Sequence, residues 1–234
     1  MKIGGINTLT LLDFPGKVAA IVFTAGCNFR CGYCHNVQFV LPEQIEKLTG
    51  HFIPEEKFFN FLETRKGLLD GVVVSGGEPT IWPDLPDFLR EIKKRKFLTK
   101  LDTNGTNPDM LEKLFKEKLV DYVAMDVKMP LDEYETLSGV KTDGKILKQS
   151  VELIKKSNIE YEFRTTVIDE FHDVDVIERI FKDIGHVQKF TLQNFRPEKT
   201  LCPSFGKFHA CTTEKQNIFE KIAKKYVDKI VIHG

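Results

Sequence analysis

Residues 71–79 read GVVVSGGEP, and this stretch sets the architecture. Gly71–Val74 is a short continuous apolar run, rich in β-branched valine, of the kind that fills a strand buried on both faces. The run stops at Ser75-Gly76-Gly77-Glu78-Pro79, where two glycines and a proline mark a turn. The flanking segments have another period. Pro54–Lys66 is spaced as a helix, and Asp84–Lys96 places Leu85, Phe88, Leu89 and Ile92 on one face. A buried strand followed by an amphipathic helix is the βα unit of parallel sheets.

The unit recurs in both directions. Upstream, Val18–Phe23 is a strand ending at a cysteine-rich loop. Downstream, strands are expected at Phe97–Leu101, Tyr122–Met125, Tyr161–Val167, Val187–Phe195 and Lys229–Ile232. Helices are expected at Asp109–Lys118, Asp143–Ser157, Val174–Ile184 and Glu214–Val227. A closed eight-unit barrel typically takes about 250 residues, and this chain has 234. Roughly six units remain once the N-terminal loop is set aside. The expected fold is α/β: a partial (βα)6 TIM-like barrel of parallel strands, open on one side. It forms a single domain over 1–234, with 1–17 as an N-terminal extension and 200–234 as a C-terminal segment.

Composition narrows the function classes. With 41% apolar residues the chain can bury a sizeable core, and 19 Phe against one Trp make it aromatic-rich. No run reaches the 18 apolar residues of a membrane span, and the N-terminus lacks a signal-peptide pattern. The 34 basic and 34 acidic residues balance to zero, which gives no electrostatic footprint for nucleic acid or anionic lipid. The run Lys93–Lys96 closes an amphipathic stretch and reads as a solvated helix end. Five cysteines, an odd number with three close together, argue against a disulfide framework and fit a reducing cytoplasm.

Those three cysteines carry the chemistry. Residues 26–36 read GCNFRCGYCHN, so Cys27, Cys31 and Cys34 stand at C-x3-C-x2-C spacing with Tyr33 before the third. A closed structural zinc site wants four protein ligands. His35 is a candidate fourth, but following Cys34 directly makes joint ligation of one ion awkward. Three thiolates instead suit a cubane iron–sulfur cluster with one iron left open. Cys202 and Cys211 are too few for a second cluster.

The other chemically suggestive segments also follow strands: GGEP, then Asp102-Thr103-Asn104-Gly105, then Asp126-Val127-Lys128. In parallel barrels the strand C-termini form the active-site face. Taken alone, GGEP can be a simple turn, Asp102 and Asn104 can be capping residues, and Asp126 with Lys128 a rim ion pair. Arg164, inside the strand EFRTTV, needs an acidic or hydroxyl partner.

Together these motifs resemble the radical S-adenosylmethionine (radical SAM) superfamily. The combination of YCHN, GGEP, LDTNG and DxK resembles its glycyl-radical-enzyme activating enzymes, which include pyruvate formate-lyase activase. The stretch Leu12-Asp13-Phe14-Pro15-Gly16-Lys17 looks most like the activating proteins of anaerobic ribonucleoside-triphosphate reductase. Leu192-Gln193-Asn194-Phe195 lacks the histidine of the pyruvate formate-lyase branch. The resemblance implies a [4Fe–4S] cluster on Cys27, Cys31 and Cys34, with S-adenosylmethionine chelating the open iron. One electron from the cluster then yields methionine and a 5′-deoxyadenosyl radical. It further implies that Tyr33, Asn36, Gly76, Gly77, Glu78, Asp102, Asn104, Asp126, Lys128 and Arg164 bind the cofactor, with Lys128 on its carboxylate. Asp102, Thr103 and Asp126 become candidate ligands of a monovalent cation. The implied partners are a large glycyl radical enzyme, anaerobic ribonucleotide reductase first, and a flavodoxin- or ferredoxin-type electron donor. Three alternatives stand beside this: an activase of another glycyl radical enzyme, a radical SAM enzyme acting on a small molecule such as a deazapurine precursor, and a noncatalytic zinc-stabilised barrel.

Overall fold

A computed structural model describes residues 1–233 of the chain. Eight strands follow one another in the sheet in chain order: β1 (Ile3–Thr10), β2 (Ala19–Thr24), β3 (Gly71–Gly76), β4 (Leu98–Thr103), β5 (Tyr122–Asp126), β6 (Glu160–Val167), β7 (Val187–Asn194) and β8 (Val227–His233). The fold is α/β with a mostly parallel, open sheet, as the alternation of periods predicts. The chain divides into two compact units, one of residues 1–28, 38–103 and 109–123, the other of 29–37, 104–108 and 124–234.

In the first unit β2, β3 and β4 are parallel, with Ala19 opposite Gly71 and Val74 opposite Leu101. The valines of β3 are fully buried, as a strand covered on both faces requires. Helices Glu55–Glu63 and Leu85–Lys94 supply Phe58, Leu62, Leu85, Phe88, Leu89 and Ile92 to the core, all buried. The Phe58 and Phe88 rings stack at 5.5 Å. The second helix ends where Lys96 turns left-handed, at φ 67°. Residues 1–17, read from sequence as an extension, contribute β1, antiparallel to β2. Its burial shows no period of two, with three consecutive exposed residues and bulges near both ends, so hydrophobic alternation gives no signal for it.

In the second unit β6, β7 and β8 are parallel, with Phe163 opposite Phe190 and Val187 opposite Val227. Helices Gly144–Lys156, Val174–Ile184 and Thr213–Ala223 each begin at a side-chain cap. Asp143 accepts from Lys145 N–H, Asp173 from Val176 N–H and Thr212 from Lys215 N–H. Phe181 packs on Phe190 at 4.7 Å and stacks on Tyr226 at 5.4 Å. Among the described residues no helix is long and apolar enough to cross a membrane.

Candidate functional site

In the first unit the GGEP corner is shaped by absent side chains. Gly76 has φ 111°, and a Cβ there would lie 2.4 Å from Thr24 N. A Cβ on Gly77 would lie 1.9 Å from the Gly26 carbonyl oxygen. Only glycine permits that approach. It brings Gly77 N–H to Thr24 O at 2.8 Å and Glu78 N–H to Gly26 O at 2.8 Å. The corner is thereby sewn to the chain just before Cys27. The Glu78 side chain is buried and turned inward: its Oε1 accepts from Thr80 N–H at 3.1 Å, Thr80 Oγ1 at 2.6 Å and Thr103 Oγ1 at 2.8 Å. Glu78 therefore braces the turn, and Thr103 braces Glu78. Asp102 Oδ2 accepts from Ser75 Oγ at 3.1 Å, and Oδ1 pairs with Lys100, which is buried.

In the second unit residues 29–36 are held from two sides. Arg30 N–H donates to Ser138 O at 2.8 Å, where Gly139 is left-handed with its Cα hydrogens against Arg30. On the other side Cys202 N–H donates to Gly32 O and Leu201 N–H to Cys34 O, both at 2.9 Å. Phe205 presses on Gly32, where a Cβ would lie 2.2 Å from its ring, and stacks with Phe171. The Tyr33 ring is 6.3 Å from that of Phe205 and 6.0 Å from the Lys128 ammonium. Burial pushes the Cys31 thiol up to about 11, with Lys128 pulling the other way. Burial also raises Cys34, opposed by a hydrogen bond from the Asn36 backbone. His35 is exposed, its Nε2 2.8 Å from Arg196 O and its ring stacked on Phe195.

Asp126 sits among cations. Lys128 Nζ is 3.2 Å from Oδ2, and Arg164 Nε and Nη2 are each 3.0 Å from Oδ1. Burial alone would raise the carboxyl; Lys128 and Arg164 override it and hold Asp126 at about 2. For Lys128 the balance runs the same way: burial disfavours its charge, yet Asp126 keeps it firmly protonated. Asn104 is buried in a local turn, accepting from Thr106 N–H at 3.0 Å and Thr106 Oγ1 at 2.7 Å. That is the capping role its residue type suggests. Asn194 is also structural: it accepts from Cys211 N–H at 2.8 Å and donates to Cys211 O at 3.0 Å. Cys211 is buried, its thiol raised to about 11, while Cys202 is exposed beside Ser204. No disulfide links any of the five cysteines.

The profile of the radical SAM superfamily matches residues 21–182. The chain belongs to that superfamily. A Methanocaldococcus jannaschii protein named as a glycyl-radical enzyme activating enzyme is 37% identical over 235 residues, covering 98% of this chain and 95% of its own. The pyruvate formate-lyase-activating enzyme of Clostridium pasteurianum is 30% identical over 199 residues, covering 82% and 80%. The solved structure of Streptococcus suis SuiB aligns with TM-score 0.66 at 15% identity, covering 92% of this chain and 48% of that one. This last likeness shows the fold alone, and the chain spans about half of SuiB's length.

A radical SAM protein works with a [4Fe–4S] cluster and S-adenosylmethionine. The residues present fit that pair. Three thiols in eight positions give one ligand to each of three irons. Burial disfavours the free Cys31 thiolate, and bound iron would favour it, because metal-bound thiols are deprotonated. Zinc would need four donors around one ion. His35, the candidate fourth donor, has its Nε2 engaged by the Arg196 carbonyl. Sequence reasoning missed Phe205, which presses on Gly32, and Phe171, which stacks on Phe205. Neither belongs to a motif, and a lone aromatic in a loop gives no local signal.

Proposed function

We propose that this chain is the activase of a glycyl radical enzyme, with anaerobic ribonucleotide reductase as its partner. The observation that carries the reading is the 37% identity that runs over 98% of the chain to a protein named as such an activating enzyme. The LDFPGK stretch and the missing histidine at Leu192–Phe195 favour the reductase over pyruvate formate-lyase.

A reduced [4Fe–4S] cluster with S-adenosylmethionine supplies a 5′-deoxyadenosyl radical that can take a hydrogen atom from a C–H bond. The chain's residues do the rest. Cys27, Cys31 and Cys34 hold the cluster. Gly76 and Gly77 hold the corner against Thr24 and Gly26, just before Cys27, and would present it to the cofactor's amino group. Lys128 binds its carboxylate, with Asp126 and Arg164 fixing where the ammonium sits. Tyr33 and Asn36 line the pocket. Asp102, Thr103 and Asp126 would hold a monovalent cation, in competition with Lys100, Lys128 and Arg164 for the two carboxylates. Electrons come from a small flavodoxin- or ferredoxin-type carrier.

The test is to mix the anaerobically reconstituted protein with reductase, S-adenosylmethionine and reductant, and to follow electron paramagnetic resonance. A glycyl radical signal on the reductase is expected. A signal on pyruvate formate-lyase but not on the reductase would replace the partner and keep the activase.

A further inference from the structure

The segment Asp126-Val127-Lys128 runs from the last residue of β5 into the loop that follows, and five of its backbone groups have partners. Asp126 O accepts from Tyr134 Oη at 3.0 Å. Val127 N–H donates to Arg164 O at 2.7 Å, and Val127 O accepts from Thr165 Oγ1 at 2.6 Å. Lys128 N–H donates to Tyr134 Oη at 3.2 Å, and Lys128 O lies 3.1 Å from His172 Nε2. Three side chains thus hold one tripeptide, and Tyr134 takes both ends of the Val127 residue with a single hydroxyl.

The network assigns the His172 tautomer. Ile168 N–H points at Nδ1 from 3.0 Å, so Nδ1 is the acceptor. Ile168 O, 3.3 Å from Nδ1, is already satisfied by the His172 and Phe171 backbone N–H groups at 3.0 and 3.1 Å. The ring proton is therefore on Nε2 and donates to Lys128 O. His172 and Tyr134 are both almost fully buried, so neither bond competes with water.

Val127 and Lys128 are buried, so the backbone polar groups here need protein partners, and side chains of Tyr134, Thr165 and His172 supply most of them. The segment carries Lys128, whose long side chain would otherwise sample many rotamers, with its Cα fixed from both peptide groups. We propose that Tyr134 and His172 are positioning residues that hold the Lys128 backbone so that its ammonium meets the carboxylate of an α-amino-acid ligand. The inference rests on the reading of Lys128 as the S-adenosylmethionine carboxylate partner.

The test titrates S-adenosylmethionine into the reconstituted protein and its variants, with iron content, circular dichroism and thermal midpoint measured on each. Tyr134→Phe keeps the ring and removes the hydroxyl. His172→Asn keeps an acceptor near Ile168 N–H and loses the donor to Lys128; His172→Gln can still reach Lys128 O. Tyr134→Phe and His172→Asn should weaken affinity about tenfold or more, equivalent to about 1.4 kcal/mol, with the cluster retained. His172→Gln should recover most of the loss. Affinity within twofold of the parent in Tyr134→Phe and His172→Asn, when Lys128→Ala loses it, would overturn the positioning role alone. Equal loss of fold or cluster in His172→Asn and His172→Gln would also overturn it, since the histidine would then be a structural plug. If Lys128→Ala itself binds normally, the carboxylate reading falls and the inference falls with it.

Discussion

The GGEP corner and the Asp126–Lys128 segment both lie at strand ends, but they are built by opposite means. At the corner, Gly76 and Gly77 work by lacking side chains: backbone meets backbone where any Cβ would collide. At Asp126–Lys128 the backbone is held by added side chains, Tyr134, Thr165 and His172, and the charge of Asp126 by Lys128 and Arg164. The first arrangement tolerates no addition. The second weakens stepwise as polar atoms are removed.

The largest effect should come from adding one carbon to the corner. In Gly77→Ala the new Cβ and the Gly26 carbonyl, 1.9 Å apart in the present backbone, are both main-chain-bound and cannot swing aside. A destabilisation of about 3 kcal/mol or more is expected, with loss of iron, read by thermal denaturation and metal analysis. A stable, cluster-bearing Gly77→Ala protein would break the contrast between the two regions.

Acid should expose the other region. Burial lowers His172 from 6.5 to about 4, so the folded chain keeps it neutral while the unfolded chain takes up the proton first. Stability from this group is complete above pH 6.5 and is lost as pH falls toward 4, by roughly 3 kcal/mol in all. Urea midpoints across that window should fall for the parent and stay flatter for His172→Gln. Asp126 adds a lower window, from 3.8 down to about 2, where its protonation removes the negative charge facing Lys128 and Arg164.

Smaller effects should separate the two carboxylates. Asp126→Ala and Asp102→Ala should each weaken S-adenosylmethionine binding by about 1–3 kcal/mol, roughly 5- to 150-fold, with the cluster retained. Asp126→Ala should be the stronger, because it removes the carboxylate that faces both Lys128 and Arg164. Isothermal titration of the reduced protein checks the order, and unchanged affinity in both would remove these residues from the site. Least of all should come from Cys202→Ser. Only the backbone of Cys202 holds Gly32, and its thiol is exposed, so stability should change by less than about 0.5 kcal/mol and iron content not at all.

The strands from β2 onward were legible because buried valine-rich runs and 3.6-residue spacing are local signals. Val174–Ile184 falls at the predicted residues, its isoleucines spaced to one face and Asp173 capping it. β1 was not legible, because its pairing with β2 is a long-range fact and its own sequence does not alternate. The same division holds in the site. Cysteine spacing, GGEP and DVK announce themselves through rare residues at short range. Glu78 could not be seen to turn inward, since its three donors come from Thr80 and the distant Thr103. His172 lies 44 residues from the carbonyl it holds, and nothing in EFHDV marks it.

The proposed reaction takes a hydrogen atom from a glycine of a protein partner. The direct measurement is deuterium transfer: a partner enzyme labelled at its glycine α-carbon is incubated with the reduced, reconstituted chain and S-adenosylmethionine, and 5′-deoxyadenosine is weighed by mass spectrometry. Deuterium in the nucleoside, with a matching glycyl radical on the partner, is the predicted result. Turnover of a small heterocycle with no deuterium gained from any peptide or intact partner would contradict it.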